Sequence, residues 1–161
     1  MSTIETTMTM PGRLRRDFVA VREWLGGLPL SLIMLGMRVG VGFVFFNSGM
    51  LKINSFEFAV KLFQDEYRLP FIDPVTGAKL AAFNELTFPL FLFFGLATRL
   101  ATLPLLGMVA VIEIFVYPQA WVEHLLWASV LVMLLTRGPG KISFDYLIER
   151  YFFATPRAQS P

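Results

Sequence analysis

Four apolar stretches, each close to the length needed to cross a bilayer, run through this chain at about residues 30–51, 80–97, 100–117 and 120–136. Three ionisable side chains, Arg38, Glu85 and Glu113, fall inside them. Hydrocarbon makes an unpaired charge costly, so such residues either pair with one another or serve a function. The pattern predicts an all-α integral membrane four-helix bundle, read as one membrane domain over residues 13–150.

Composition agrees with that class. The chain is 55% apolar and 16% charged, where a soluble domain carries about a quarter charged residues. Its mean hydropathy is +0.61. The net charge is only +2, and the basic residues stand beside the apolar stretches, so a nucleic-acid role is rejected. The chain has no Cys, which excludes disulfides, thiol chemistry and iron–sulfur ligation by its own residues. One His and no ligand spacing argue against a metal centre. Any redox role must then rest on a bound organic molecule, such as a quinone or a lipid, or on a partner chain.

Between and around the spans the chain is punctuated. Residues 1–12 are Thr-rich and aperiodic, and are expected to be disordered, as is ATPRAQSP in the C-terminal tail 151–161. Residues 13–26 place Leu14, Phe18, Val21 and Leu25 on one face with Arg13, Arg15, Arg16 and Arg22 interleaved, which predicts an amphipathic interfacial helix. In the first span Gly36 and Gly40 form a small-xxx-small pair, expected to serve packing within the bundle, with a dimer face as the other use. Residues 52–79 form a long connection: SFEFAVKLFQDEYR predicts a short interfacial helix, and LPFIDPVTG a Pro/Gly turn region. Thr98–Arg99 is expected to join the second and third spans. The fourth span is weak over 124–135 and needs 120–122 or Thr136 to reach across. Gly138-Pro139-Gly140 ends it, and Ser143 is the expected N-cap of an amphipathic C-terminal helix.

Lys and Arg outside the spans set the orientation. Four lie before the first span, one (Arg99) between the second and third, and four after the last, nine in all on one side; Lys52, Lys61, Arg68 and Lys79 make four on the other. Both termini are therefore expected in the cytoplasm, as in a bacterial inner-membrane protein.

An internal Arg in the first span followed by Gly49-Met50-Leu51-Lys52 resembles the DoxX family of small four-helix membrane proteins. So do Asn84-Glu85-Leu86, Gly95-Leu96-Ala97-Thr98-Arg99, and Arg137-Gly138-Pro139-Gly140 followed by Ser143 and Asp145. LFQDEYRLPFIDP with FVYPQAW is similar to one branch in particular. The resemblance covers about residues 30–150. It implies a redox-linked membrane subunit: some relatives are described as subunits of thiosulfate:quinone oxidoreductase, others as partners in oxidative-stress complexes.

The charges are placed by helix rise. Arg38 lies about 12 Å below one surface, while Glu85 and Glu113 lie about 8 and 10 Å below the other. Arg38 is expected to bridge towards the two glutamates. Two acids against one base leave a carboxylate uncompensated, and Lys52 and His124 are the available cations. Lys52 continues the Arg38 stripe through Gly42, Phe45 and Gly49. Arg38, Glu85, Glu113, His124 and Lys52 are thus the candidate pocket, with Asn47, Asn84, Tyr117 and Trp121 as candidate lining. The competing reading is an internal ion pair that fixes helix register; His124 alone reads as interfacial, and Asn47, Ser48 and Asn84 as partners for neighbouring polar groups. The chain is expected to be a quinone-interacting subunit supporting a partner oxidoreductase. Its alternatives are a non-enzymatic anchor or assembly partner, including a homo-oligomer, and a small-molecule or proton carrier.

Overall fold

The computed structural model describes residues 12–153. The ends expected to be disordered lie outside the described residues, apart from Gly12, which begins the first helix. Every regular element among the described residues is helical. In chain order they are α1 (Gly12–Gly26), α2 (Leu30–Asn54), α3 (Phe56–Leu62), α4 (Pro74–Phe94), α5 (Thr98–Val111), α6 (Trp121–Arg137) and α7 (Phe144–Phe152). One turn of π-helix extends α3 over Phe63–Tyr67, another extends α5 over Ile112–Val116, and a 3₁₀ turn, Pro118–Ala120, leads into α6. Three segments are long and apolar enough to cross a membrane: Leu30–Asn54, Thr98–Val116 and Pro118–Arg137.

The bundle buries one stripe of α2: Met34, Arg38, Val41, Gly42, Phe45 and Gly49. That spacing of three and four is one face of a helix. Leu92, Leu105, Leu131 and Leu134, from α4, α5 and α6, close on it with no exposed surface. The α2–α4 contact is close because two positions on α2 lack a Cβ. A methyl group at Gly49 would lie 2.9 Å from the Glu85 Cβ, and one at Gly42 would strike the Phe93 ring at 2.5 Å. Gly36 and Gly40 behave oppositely. Nothing stands within 4 Å of a Cβ at either, so they do not serve packing within the bundle.

α4 starts six residues before the expected 80, which corrects the reading of 69–77 as a turn region over its last four residues, 74–77. Pro74 occupies the first helical position, where its missing N–H costs nothing. Asp73 caps the helix, its carboxylate accepting the Thr76 N–H at 3.0 Å, and those Thr76 hydrogen bonds hold its carboxyl below the usual range. Gly77 is needed for contact rather than turning, since a Cβ there would meet the Phe63 ring at 2.7 Å.

At the other end α4 stops in a left-handed Gly95 (φ +64°), with Leu96 N–H donating to the Phe91 carbonyl at 2.9 Å. Ala97 is also left-handed (φ +45°), a conformation unfavourable for a residue with a Cβ. It is held from a distance: Ala97 and Thr98 donate their N–H groups to the two oxygens of Asp145, at 2.6 and 2.9 Å. The C-terminal segment thus caps α5. Ser143 caps α7 as expected, accepting from Tyr146 N–H at 3.2 Å. Lys141 N–H meets Ser31 Oγ at 3.1 Å, so the start of α2, the α4–α5 turn and the start of α7 share one end of the bundle. The π turns, α3 and the start of α6 lie at the other.

Candidate functional site

A cavity of about 660 Å³ opens at the end remote from the termini, between α2, α4, α5 and α6 and beneath the 63–72 segment. Its walls are largely apolar and aromatic, with Phe45, Phe63, Phe71, Met108 and Trp127 among them. Of the expected residues, Lys52, Glu85, His124, Asn84 and Tyr117 line it.

Two acid–base pairs stand here. Gly49 lets α4 approach, which brings Glu85 beside the last turns of α2. Lys52 Nζ lies 2.8 Å from both Glu85 oxygens. The geometry suits a hydrogen bond only to Oε1, which also accepts from Ser48 Oγ at 3.1 Å; Oε2 is buried and has no aligned donor. Lys52 donates to Ser48 Oγ at 2.9 Å as well, which closes a three-membered ring of contacts. The second pair is Glu113 with His124, Oε2 to Nδ1 at 2.5 Å. Glu113 stands on the π turn, whose wider register ends in the Tyr117 N–H to Ile112 carbonyl bond at 2.8 Å. Nδ1 faces the carboxylate, and among the described residues Nε2 has no hydrogen-bond partner.

Arg38 is not part of this site, a correction of the expected constellation. It sits wholly buried near the opposite end, where Nη1 donates to the Leu92 carbonyl at 3.3 Å and Nη2 to the Ile142 carbonyl, with Asp145 nearby. Fourteen residues of α2 separate it from Lys52, about 21 Å of rise, too far for its side chain to span. Each of the two local acids therefore has a local nitrogen partner, Lys52 for Glu85 and His124 for Glu113. Three other expectations shift. Glu113 reaches the site through His124 and does not line the cavity, Asn47 faces outward, and Trp121 is 58% exposed.

The cavity roof adds residues that spacing alone did not mark. Tyr67 lines the wall, packed edge-on against Phe63 and Tyr117. Burial pushes its phenol well above the ordinary tyrosine value, helped by Tyr117 and the Glu66 carboxylate, so it stays a neutral donor. Tyr117 donates its hydroxyl to Glu66, tying the 63–67 turn to the end of α5. In sequence, Tyr67 read as an apolar position of the interfacial helix. The adjacent Asp65 and Glu66 were the signal that this turn carries polar work.

This bundle, with a polar cavity set among aromatic walls, defines a small helical membrane protein. The sequence profile of the DoxX family matches residues 33–118, more than half of the chain, and the chain belongs to that family. An uncharacterized protein of Haemophilus influenzae is 28% identical over 136 residues, covering 78% of this chain and 89% of that relative. No solved structure matches it.

Proposed function

We propose that the cavity binds the head group of a quinone-like, membrane-soluble molecule, and that the chain serves as a membrane subunit supporting a partner oxidoreductase. The observation that carries this is His124, paired behind the wall with Glu113, lining a largely apolar 660 Å³ cavity. Converting a quinone to its quinol adds two electrons and two protons. His124, backed by Glu113, is placed to exchange a proton with a ring oxygen. Lys52 and Tyr67 are donors for carbonyl oxygens, and Trp127 and the Phe side chains suit a ring and its apolar tail. The electrons are the partner's to supply or accept.

The same reading takes α4 as a fourth span, α1 and α7 as interfacial helices, the membrane as a bacterial inner membrane, and both termini as cytoplasmic. The Phe18, Val21 and Leu25 face of α1 packs on nothing among the described residues, which suits burial in a leaflet. Gly36 and Gly40 open outward, where a partner's helix can approach closely. Quenching of tryptophan fluorescence by a short-chain benzoquinone tests the proposal. Saturable quenching in the wild type should weaken at least tenfold in His124→Leu and be partly retained in Glu113→Gln. Quenching that does not saturate, or that His124→Leu leaves unchanged, overturns it.

A further inference from the structure

A second cavity, of about 610 Å³, opens at the terminus-bearing end between the starts of α2 and α5 and the 138–141 turn. Three cations from three separate segments line it: Arg99 in the first turn of α5, Arg137 in the last turn of α6, and Lys141. Gly138, at φ +81°, folds the turn against Arg99, whose Nε and Nη2 would stand 3.5 Å from a Cβ there. Among the described residues none of the three forms an ion pair or a side-chain hydrogen bond. Two carboxylates also face this space. Asp145 is already committed to the Ala97 and Thr98 N–H groups, and Glu149 is exposed and unpaired. Three cations against two carboxylates leave this concavity with an excess of positive charge, which favours a further anion.

The rim shows which anion. Leu30 and Leu100 flank the opening and are 56% and 69% exposed, on the first turns of two helices that read as membrane spans. A soluble anion has no use for that apolar edge, whereas acyl chains do. Guanidinium groups also match phosphate oxygens in pairs. We propose that this cavity holds the phosphate head group of an anionic phospholipid from the adjacent leaflet, with its acyl chains lying along Leu30 and Leu100.

Native mass spectrometry of the detergent-purified full chain, mixed with equal amounts of phosphatidylglycerol and phosphatidylcholine, tests this. The wild type should retain phosphatidylglycerol selectively. Arg99→Gln with Arg137→Gln should weaken that retention about 25-fold, roughly fivefold for each charge removed. Arg13→Gln with Arg15→Gln, on the exposed α1, should retain it fully. Lys141→Gln alone should give about a fivefold loss, and it is the arm that decides if the double variant fails to fold. Equal retention of both lipids, an equal loss in the α1 variant, or complete displacement by the same concentration of inorganic phosphate would each overturn the proposal. The first two would mean general surface attraction, and the third a site for a soluble anion.

Discussion

The two partners of the Lys52–Glu85 pair are not equivalent. Glu85 stands midway along its helix with a side chain 5% exposed, while Lys52 ends α2 with a flexible stem and an 11% exposed side chain. Removing the lysine strands a carboxylate that cannot reach water, and breaking a buried pair from that side costs about 3–5 kcal/mol. Removing the acid leaves an ammonium that can swing towards the surface. Lys52→Met should therefore lower stability by about 3–5 kcal/mol and Glu85→Gln by much less. The double variant Lys52→Met/Glu85→Leu should recover most of the loss. Denaturant unfolding in detergent reads all three. Equal losses from the two single variants would show that the pair is not buried as described.

At the scale of elements, the turn between α4 and α5 depends on a residue almost fifty positions away. Asp145 accepts two N–H groups that no helical carbonyl can reach, one of them on the strained Ala97. Asp145→Ala should cost about 2 kcal/mol, the scale of buried donors left unpaired, read as a lower melting temperature. Ala97→Gly should raise stability by about 1 kcal/mol, because glycine adopts φ > 0 freely. The helices themselves were legible in the sequence, because apolar length and 3–4 spacing are local signals. So was the Ser143 cap, and so was the α2 stripe that carries Gly42, Phe45 and Gly49. The start of α4 was not, since Pro74 and Gly77 break helices in general but begin and pack one here. The partner of Arg38 was also hidden. The Arg38 guanidinium is held by the backbone carbonyls of Leu92 on α4 and Ile142 in the fold-back of 138–145, and nothing local to α2 announces either. The cavity polar set was half legible: Lys52 and His124 stood out as spare cations, whereas Tyr67 looked like one more apolar position.

For the whole molecule, the bundle's own connectivity supports the proposed fourth crossing. One end gathers Ser31, Gly95, Asp145 and Lys141; the other gathers Lys52, Phe63, Gly77 and His124. α4 therefore runs beside α2, with Glu85 at the level of Gly49 and Gly95 at the level of Arg38. Its 21 residues span about 32 Å, matching a hydrocarbon core of about 30 Å. On the proposed reading the chain therefore crosses through α2 and again through α4, with Lys52 answering Glu85. The count on that reading is four, both ends share a side, and the excess of Lys and Arg would put that side in the cytoplasm. The absence of Cys makes the test direct, because each introduced thiol is unique. In intact cells a membrane-impermeant maleimide should label Gln64→Cys, on the exposed face of the π turn after α3. It should reach Arg13→Cys and Arg150→Cys only after permeabilisation. Labelling of both terminal positions in intact cells would invert the orientation, and labelling of only one would mean that α4 does not cross.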